Sequence, residues 1–158
     1  MRILVLSDSH GKSFAIRKIL DKHPEAKHIF FLGDGLRDIE YLEKDYPNLV
    51  FHKVCGNCDV GCSEPYSNLE RVEDKLIFFT HGHNFYVKSG IGPLVETARK
   101  RGADIVLFGH THNALTSYED GLYIVNPGSV SMGRSAGNSY AIIDIEKNGT
   151  IPIIVKAP

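Results

Sequence analysis

Apolar residues along the chain fall in short runs that end on polar clusters. Ile3-Leu4-Val5-Leu6 runs into Ser7-Asp8-Ser9-His10-Gly11, and Ile29-Phe30-Phe31-Leu32 into Gly33-Asp34-Gly35. Leu76-Ile77-Phe78-Phe79 leads to Thr80-His81-Gly82-His83, and Ile105-Val106-Leu107-Phe108 to Gly109-His110-Thr111-His112. A short apolar run that stops at glycine reads as a buried strand whose tip carries polar groups.

The segments between these runs predict helices and turns. Ser13 can cap a helix to Lys22, with Phe14, Ile16, Ile19 and Leu20 on its apolar face and Pro24 barring its continuation. Asp38–Tyr46 reads as a second helix, before Pro47 and a third strand at Val50–Val54. This opening is βαβαβ, the pattern of a parallel sheet. Asn68–Val72 and Lys75–Thr80 read as strands across Glu73-Asp74, and Asn84–Ile91 as a loop. Pro93 suits the first turn of a helix that Gly102 stops after Arg101. Two hairpins follow, Ala114–Tyr118 with Leu122–Asn126 and Ser139–Glu146 with Thr150–Val155, the second across Asn148-Gly149. The fold class is α/β: two sheets face to face with helices outside.

At 158 residues the chain is expected to be one domain, residues 1–158. A net charge of −1 gives no broad basic face, which argues against holding duplex nucleic acid through its phosphates. No apolar stretch approaches a membrane span, and the N-terminal run is too short for a signal peptide, so a cytoplasmic protein is expected. Homo-oligomerisation is left open. Cys55, Cys58 and Cys62 lie in one segment, and an odd count argues against a disulfide framework. No fourth ligand of matching spacing follows them, so Cys55 reads as packed at a strand end and the others as loop residues.

Of 8 histidines, five lie in the polar clusters, at positions 10, 81, 83, 110 and 112. Carboxyl ends of neighbouring strands converge on one crevice. Aspartates and histidines gathered there describe a metal site, with Asp34 the natural carboxylate to bridge two ions. Asp8 and His10 point to one side of an extended segment and can reach one ion together. His110 and His112 could share an ion or divide between two. Mixed carboxylate and imidazole donors suit transition ions better than Ca²⁺ or Mg²⁺: manganese first, with nickel, iron or zinc as alternatives. Two such ions would acidify a bridging water and clamp an anionic substrate. The implied reaction is phosphate-ester hydrolysis with metal hydroxide as nucleophile.

The motifs D-x-H at Asp8 and His10, G-D at Gly33-Asp34, G-N at Gly56-Asn57, His81, and G-H-x-H at Gly109–His112 occur in order. Together they resemble the signature of the calcineurin-like metallophosphoesterases. Chain length, Cys58-Asp59 and Asn126-Pro127-Gly128-Ser129 are similar to the small single-domain bacterial and archaeal phosphodiesterases of that family. The resemblance implies a four-layer α/β/β/α sandwich of two mixed sheets flanked by helices. It also implies a dinuclear centre, with Asp8, His10, Asp34 and His112 on one ion and Asp34, Asn57, His81 and His110 on the other. Asp34, Asn57, His81 and His110 are the candidate catalytic residues, and the implied substrate is a small phosphodiester. Asn57 brings an amide oxygen with no charge, which favours an anionic substrate beside the ions.

The chain departs from the family pattern at two places. Cys58 stands where larger members carry a histidine that protonates the leaving group, and Arg37 replaces a second acidic residue after Gly33-Asp34. Cys58, Asp59 and His83 are therefore the candidates for a supporting contact or a proton donor. Asp59 reads first as a turn cap, Asn126-Pro127-Gly128 as a supporting turn, and Arg37 and Arg134 as solvated. His23, His28 and His52 lack cluster partners and read as surface residues. A non-catalytic scaffold of the same fold is the rival reading, and it would tolerate missing ligands.

Overall fold

The structure is a computed structural model describing residues 1–135 and 137–158. Elements follow in the order β1 (Arg2–Leu6), α1 (Ser13–Lys22), β2 (His28–Phe31), α2 (Leu36–Glu43), β3 (Val50–Lys53), β4 (Ser67–Val72) and β5 (Lys75–Thr80). A 3₁₀ turn at His83–Phe85 precedes α3 (Gly92–Lys100), β6 (Ile105–Leu107), β7 (Ala114–Glu119), β8 (Leu122–Pro127), β9 (Ser139–Glu146) and β10 (Gly149–Lys156).

The strands form two mixed five-stranded sheets, ordered β10-β9-β1-β2-β3 and β4-β5-β6-β8-β7. β1, β2 and β3 run parallel, as do β5, β6 and β8. Antiparallel strands flank each parallel set. Alternate residues of each central strand serve different cores. Leu4, Leu6, Ile29 and Phe31 pack under α1 and α2, while Ile3, Val5, Phe30 and Leu32 meet Ile77, Phe79, Ile105 and Leu107 between the sheets. Phe78, Val106 and Phe108 pack against α3. Strands buried on both faces need uninterrupted apolar runs, which is why these segments do not alternate. The result is the expected four-layer α/β/β/α sandwich.

Several local expectations are corrected. Ser13 is the first residue of α1, with Lys12 at the cap position and no side-chain cap bond. The helix expected over Asp38–Tyr46 starts earlier, at Leu36, because main-chain donors at its N-terminus are taken by Asp59. The expected 84–91 loop begins with a 3₁₀ turn. Cys55 and Cys62 are joined as a disulfide, their Cα atoms 6.4 Å apart, contrary to the expectation from the odd cysteine count. The odd cysteine is Cys58, which is exposed.

The outlying histidines are not plain surface residues either. His23 is buried and hydrogen-bonds the Tyr140 hydroxyl at 2.8 Å. His28 and His52 face each other across the parallel pair β2–β3, their ring nitrogens 2.9 Å apart, and His52 stacks on Phe30. Among the described residues no helix is long and apolar enough to cross a membrane.

Candidate metal centre

Loops leaving the carboxyl ends of β1, β2, β5 and β6, together with the loop after β3, meet at one edge of the sandwich. Asp8, His10, Asp34, His110 and His112 all have positive φ, between 42° and 66°. Such conformations are uncommon away from glycine, so the surrounding contacts must hold them. The Asp8 N–H donates to the Gly33 carbonyl at 2.9 Å, and the His10 N–H to the Asp34 carbonyl at 3.2 Å. The Gly109 N–H donates to the His81 carbonyl at 3.0 Å, and the His110 N–H to Asp8 Oδ2 at 3.2 Å. Gly33 packs on Gly56, and a Cβ on Gly56 would overlap the Asp34 carboxylate and amide. The G-D and G-N glycines are thus needed for two backbones to touch.

Two donor groups result. Asp8, His10 and His112 form the first, with His112 Nε2 at 3.0 Å and His10 Nε2 at 3.8 Å from Asp8 Oδ1. His10 Nε2 is buried without a hydrogen-bond partner. Asp34, His81 and His110 form the second. His81 Nδ1 lies 2.7 Å from the Leu32 carbonyl, which can only accept, so Nδ1 carries a proton and Nε2 is the atom that a metal ion, or in its place a second proton, would occupy. Around Nε2 lie Asn57 Oδ1 at 3.1 Å, His110 Nδ1 at 3.1 Å and Asp34 Oδ2 at 3.4 Å. Asp34 lies between the two groups, because it also clusters with His10 and Cys58.

Lone pairs that converge in a buried corner call for a cation. Burial opposes charge on His81, yet its bond to Asp34 and the charges of Asp8 and Asp34 raise its pKa. Burial likewise opposes charge on Asp34, but hydrogen bonding and charge from His81 and the Cys58 N–H hold it well below the usual carboxylate range. Burial, then His81 and Lys88, pushes His110 down to about 4, leaving a neutral imidazole free to coordinate. An orphaned His10 nitrogen, a carbonyl-anchored His81 and carboxylates beside both fit divalent metal ions.

Every sequence-predicted residue lies at or beside this corner. Asn57 is exposed at the rim, its carbonyl oxygen turned to His81. Cys58 donates its N–H to Asp34 Oδ1 at 2.8 Å, and burial and the Asp34 carboxylate push its thiol pKa up. Asp59 accepts four main-chain bonds, from Asp34 and Gly56 on Oδ2 and from Gly35 and Leu36 on Oδ1, at 2.7–2.9 Å. It staples the Asp34 turn to the Asn57 loop. The His83 ring stands 5.4 Å from His81 and 5.6 Å from Tyr66, with its Nδ1 buried and unpartnered.

The expected supporting turn is present. Asn126 donates to the Gly109 carbonyl and Thr111 Oγ1, both at 3.1 Å, and Ser129 donates to the Asp8 carbonyl at 2.8 Å. Sequence reading missed Ser7, which donates to Asp8 Oδ2, and the Ser9–Asp38 bond at 2.6 Å that ties the His10 turn to α2. Their only signal was adjacency to the D-x-H motif.

The calcineurin-like phosphoesterase superfamily domain model matches residues 1–148. The chain belongs to that superfamily. It is 32% identical over 151 residues to a probable metallophosphoesterase of Bacillus subtilis, YsnB, covering 94% of this chain and 86% of that one. It is 29% identical over 170 residues to the Escherichia coli phosphodiesterase YfcE, covering 91% and 88%. Among solved structures, a predicted phosphoesterase from Streptococcus pneumoniae superposes with a TM-score of 0.86 at 28% identity, covering 98% of this chain and 88% of that one. Vps29 of Entamoeba histolytica in complex with zinc gives 0.76 at 20% identity, covering 98% of each chain, a likeness of fold alone.

Proposed function

We propose that the chain is a dinuclear metal-dependent phosphoesterase that hydrolyses phosphodiester bonds. The observation that carries this reading is the pair of donor groups with Asp34 between them. Asp8, His10, Asp34 and His112 would hold one ion, and Asp34, Asn57, His81 and His110 the other. Divalent ions so held supply, when bound, Lewis acidity and an activated water for attack at phosphorus. Asp8 and Asp34 bring only two negative charges and Asn57 none, so a loaded site stays net positive and attracts the phosphate anion. Manganese, which the carboxylate and amide oxygens suit, is the ion proposed first, with nickel, iron or zinc, which imidazole suits, as alternatives.

Three residues were candidates for protonating the leaving group. Asp59 has both oxygens committed to main-chain donors. Burial lowers the His83 pKa, leaving a neutral ring with no proton to spare at neutral pH. Cys58 holds its proton too tightly to be an efficient acid, its pKa being raised. The site therefore favours substrates whose leaving group needs little protonation.

The test strips the protein of metal with a chelator and assays bis-p-nitrophenyl phosphate. Activity should vanish, return with Mn²⁺ and return poorly with Mg²⁺. Full activity after verified metal removal sinks the reading. The scaffold alternative instead predicts no turnover with any ion.

A further inference from the structure

Two clefts of opposite charge flank the candidate centre. One, of about 570 Å³, is lined by His10 and Asp34 and continues past Asp38, Glu40 and Asp59, with Arg37 its one cation among the described residues. The other, of about 470 Å³, adjoins the turn between His110 and His112, where Thr111 forms part of its wall. Buried Val87 and Phe108 form its floor, Ile91 and the exposed Leu115 add apolar wall, and exposed Lys88 and Arg134 also line it. Among the described residues no acidic side chain lines it.

Both cations are tied to the centre. The Arg134 N–H donates to the His112 carbonyl at 3.1 Å, so the base of that side chain is fixed to a candidate ligand. Lys88 lines the same cleft as Thr111, the residue between His110 and His112. Both residues are exposed.

A diester bound at the centre has two arms, and an arm that leaves over Thr111 would enter the second cleft. An arm with its own negative charge is repelled by Asp38, Glu40 and Asp59 of the first cleft and attracted by the lysine and arginine of the second. The apolar floor would bury a ring, and a guanidinium at the rim suits a phosphate.

Resting on the phosphoesterase reading, we propose that the Lys88–Arg134 cleft is a specificity subsite. It selects phosphodiesters in which one arm carries a second phosphate on a ring-containing body. Lys88 and Arg134 bind that phosphate, and the Val87–Phe108 floor takes the ring.

The test is calorimetric binding to manganese-loaded protein of two probes that share one body: adenosine 5′-monophosphate and adenosine 3′,5′-bisphosphate. The native protein should bind the bisphosphate on the order of tenfold more tightly, the scale of partly exposed charge-assisted contacts. Lys88→Glu with Arg134→Glu should bring the ratio to about one, while Arg37→Glu in the opposite cleft should leave it unchanged. If the double reversal does not give a cooperative melt, Lys88→Gln with Arg134→Gln is measured instead, with the same expected loss. A native ratio near one, a preference that survives both double variants, or a loss caused by Arg37→Glu overturns the subsite. Hydrolysis of bis-p-nitrophenyl phosphate, which has no second anion, reads the underlying function separately. Turnover of it without a bisphosphate preference removes the subsite alone.

Discussion

Asp59→Asn separates an organising carboxylate from a chemical one. The native side chain accepts four N–H bonds at 2.7–2.9 Å from three consecutive residues, Asp34, Gly35 and Leu36, and from Gly56. An asparagine oxygen can keep two of them. Its amino group then faces the other two donors, which must find water or move. A hydrogen bond to a charged acceptor contributes about 1.5–3 kcal/mol and a neutral one about 0.5–1.5. Losing two bonds and weakening two would sum to about 5–9 kcal/mol, and water reaching the freed donors of this half-exposed loop brings the net cost to about 2–4 kcal/mol. At ~2–4 °C per kcal/mol for a chain of this size, Tm should fall by ~5–15 °C. Thermal melts followed by circular dichroism measure this directly. Metal affinity should fall with stability, by about the 10–100-fold seen when the support of a ligand is removed, because the same carboxylate fixes Asp34 and the Asn57 loop. A Tm within ~1 °C of native together with lost turnover would refute the reasoning and make Asp59 a proton donor.

Asp34→Asn should reduce activity at least ~10–100-fold and lower the metal content, by elemental analysis, below that of Asn57→Ala; two retained ions with normal turnover would remove Asp34 from the bridging position. Cys58→His should flatten the dependence of kcat/KM on leaving-group pKa across aryl and alkyl phosphodiesters, with the largest gain for basic alkoxides, up to ~10²-fold, the low end for a positioned acid. A slope already shallow in the native enzyme would mean that another group supplies the proton. Burial, reinforced by His28, pushes His52 down to about 4 from an ordinary 6.5. Between those values the unfolded chain binds more protons, so this contribution is whole above pH ~6.5 and is lost as pH falls toward ~4. Urea unfolding of His52→Phe at pH 7 and pH 5 should show a smaller acid loss than the native protein, and equal losses would contradict the assignment.

The strands were legible because burial on both faces forces continuous apolar runs, and each run stops where its chain leaves the sheet for the site. Topology followed from the βαβαβ opening and the later turn signals. The candidate donors were legible for a related reason: glycine beside aspartate or histidine at a strand end marks a backbone that must approach another. What the sequence hid is contact between distant residues. Nothing around His28 and His52 announces that adjacent parallel strands bring their rings face to face, since register is fixed only once the sheet forms. Asp59 illustrates the same limit. It read as a local cap, but three of its four donors lie more than 20 positions away in the chain. The cysteine count likewise carries no distance information, and the loop that brings Cys55 to Cys62 is shaped by Asp59 and the Gly33–Gly56 contact.

The central claim is that two ions act together at Asp34. The most direct measurement titrates metal-free protein with Mn²⁺ and records, on the same samples, ions bound per chain and hydrolysis of bis-p-nitrophenyl phosphate. If both ions are needed, turnover stays low through the first equivalent and rises to saturation as the second binds. Activity that saturates at one bound ion per chain, or that persists with none, would contradict that claim.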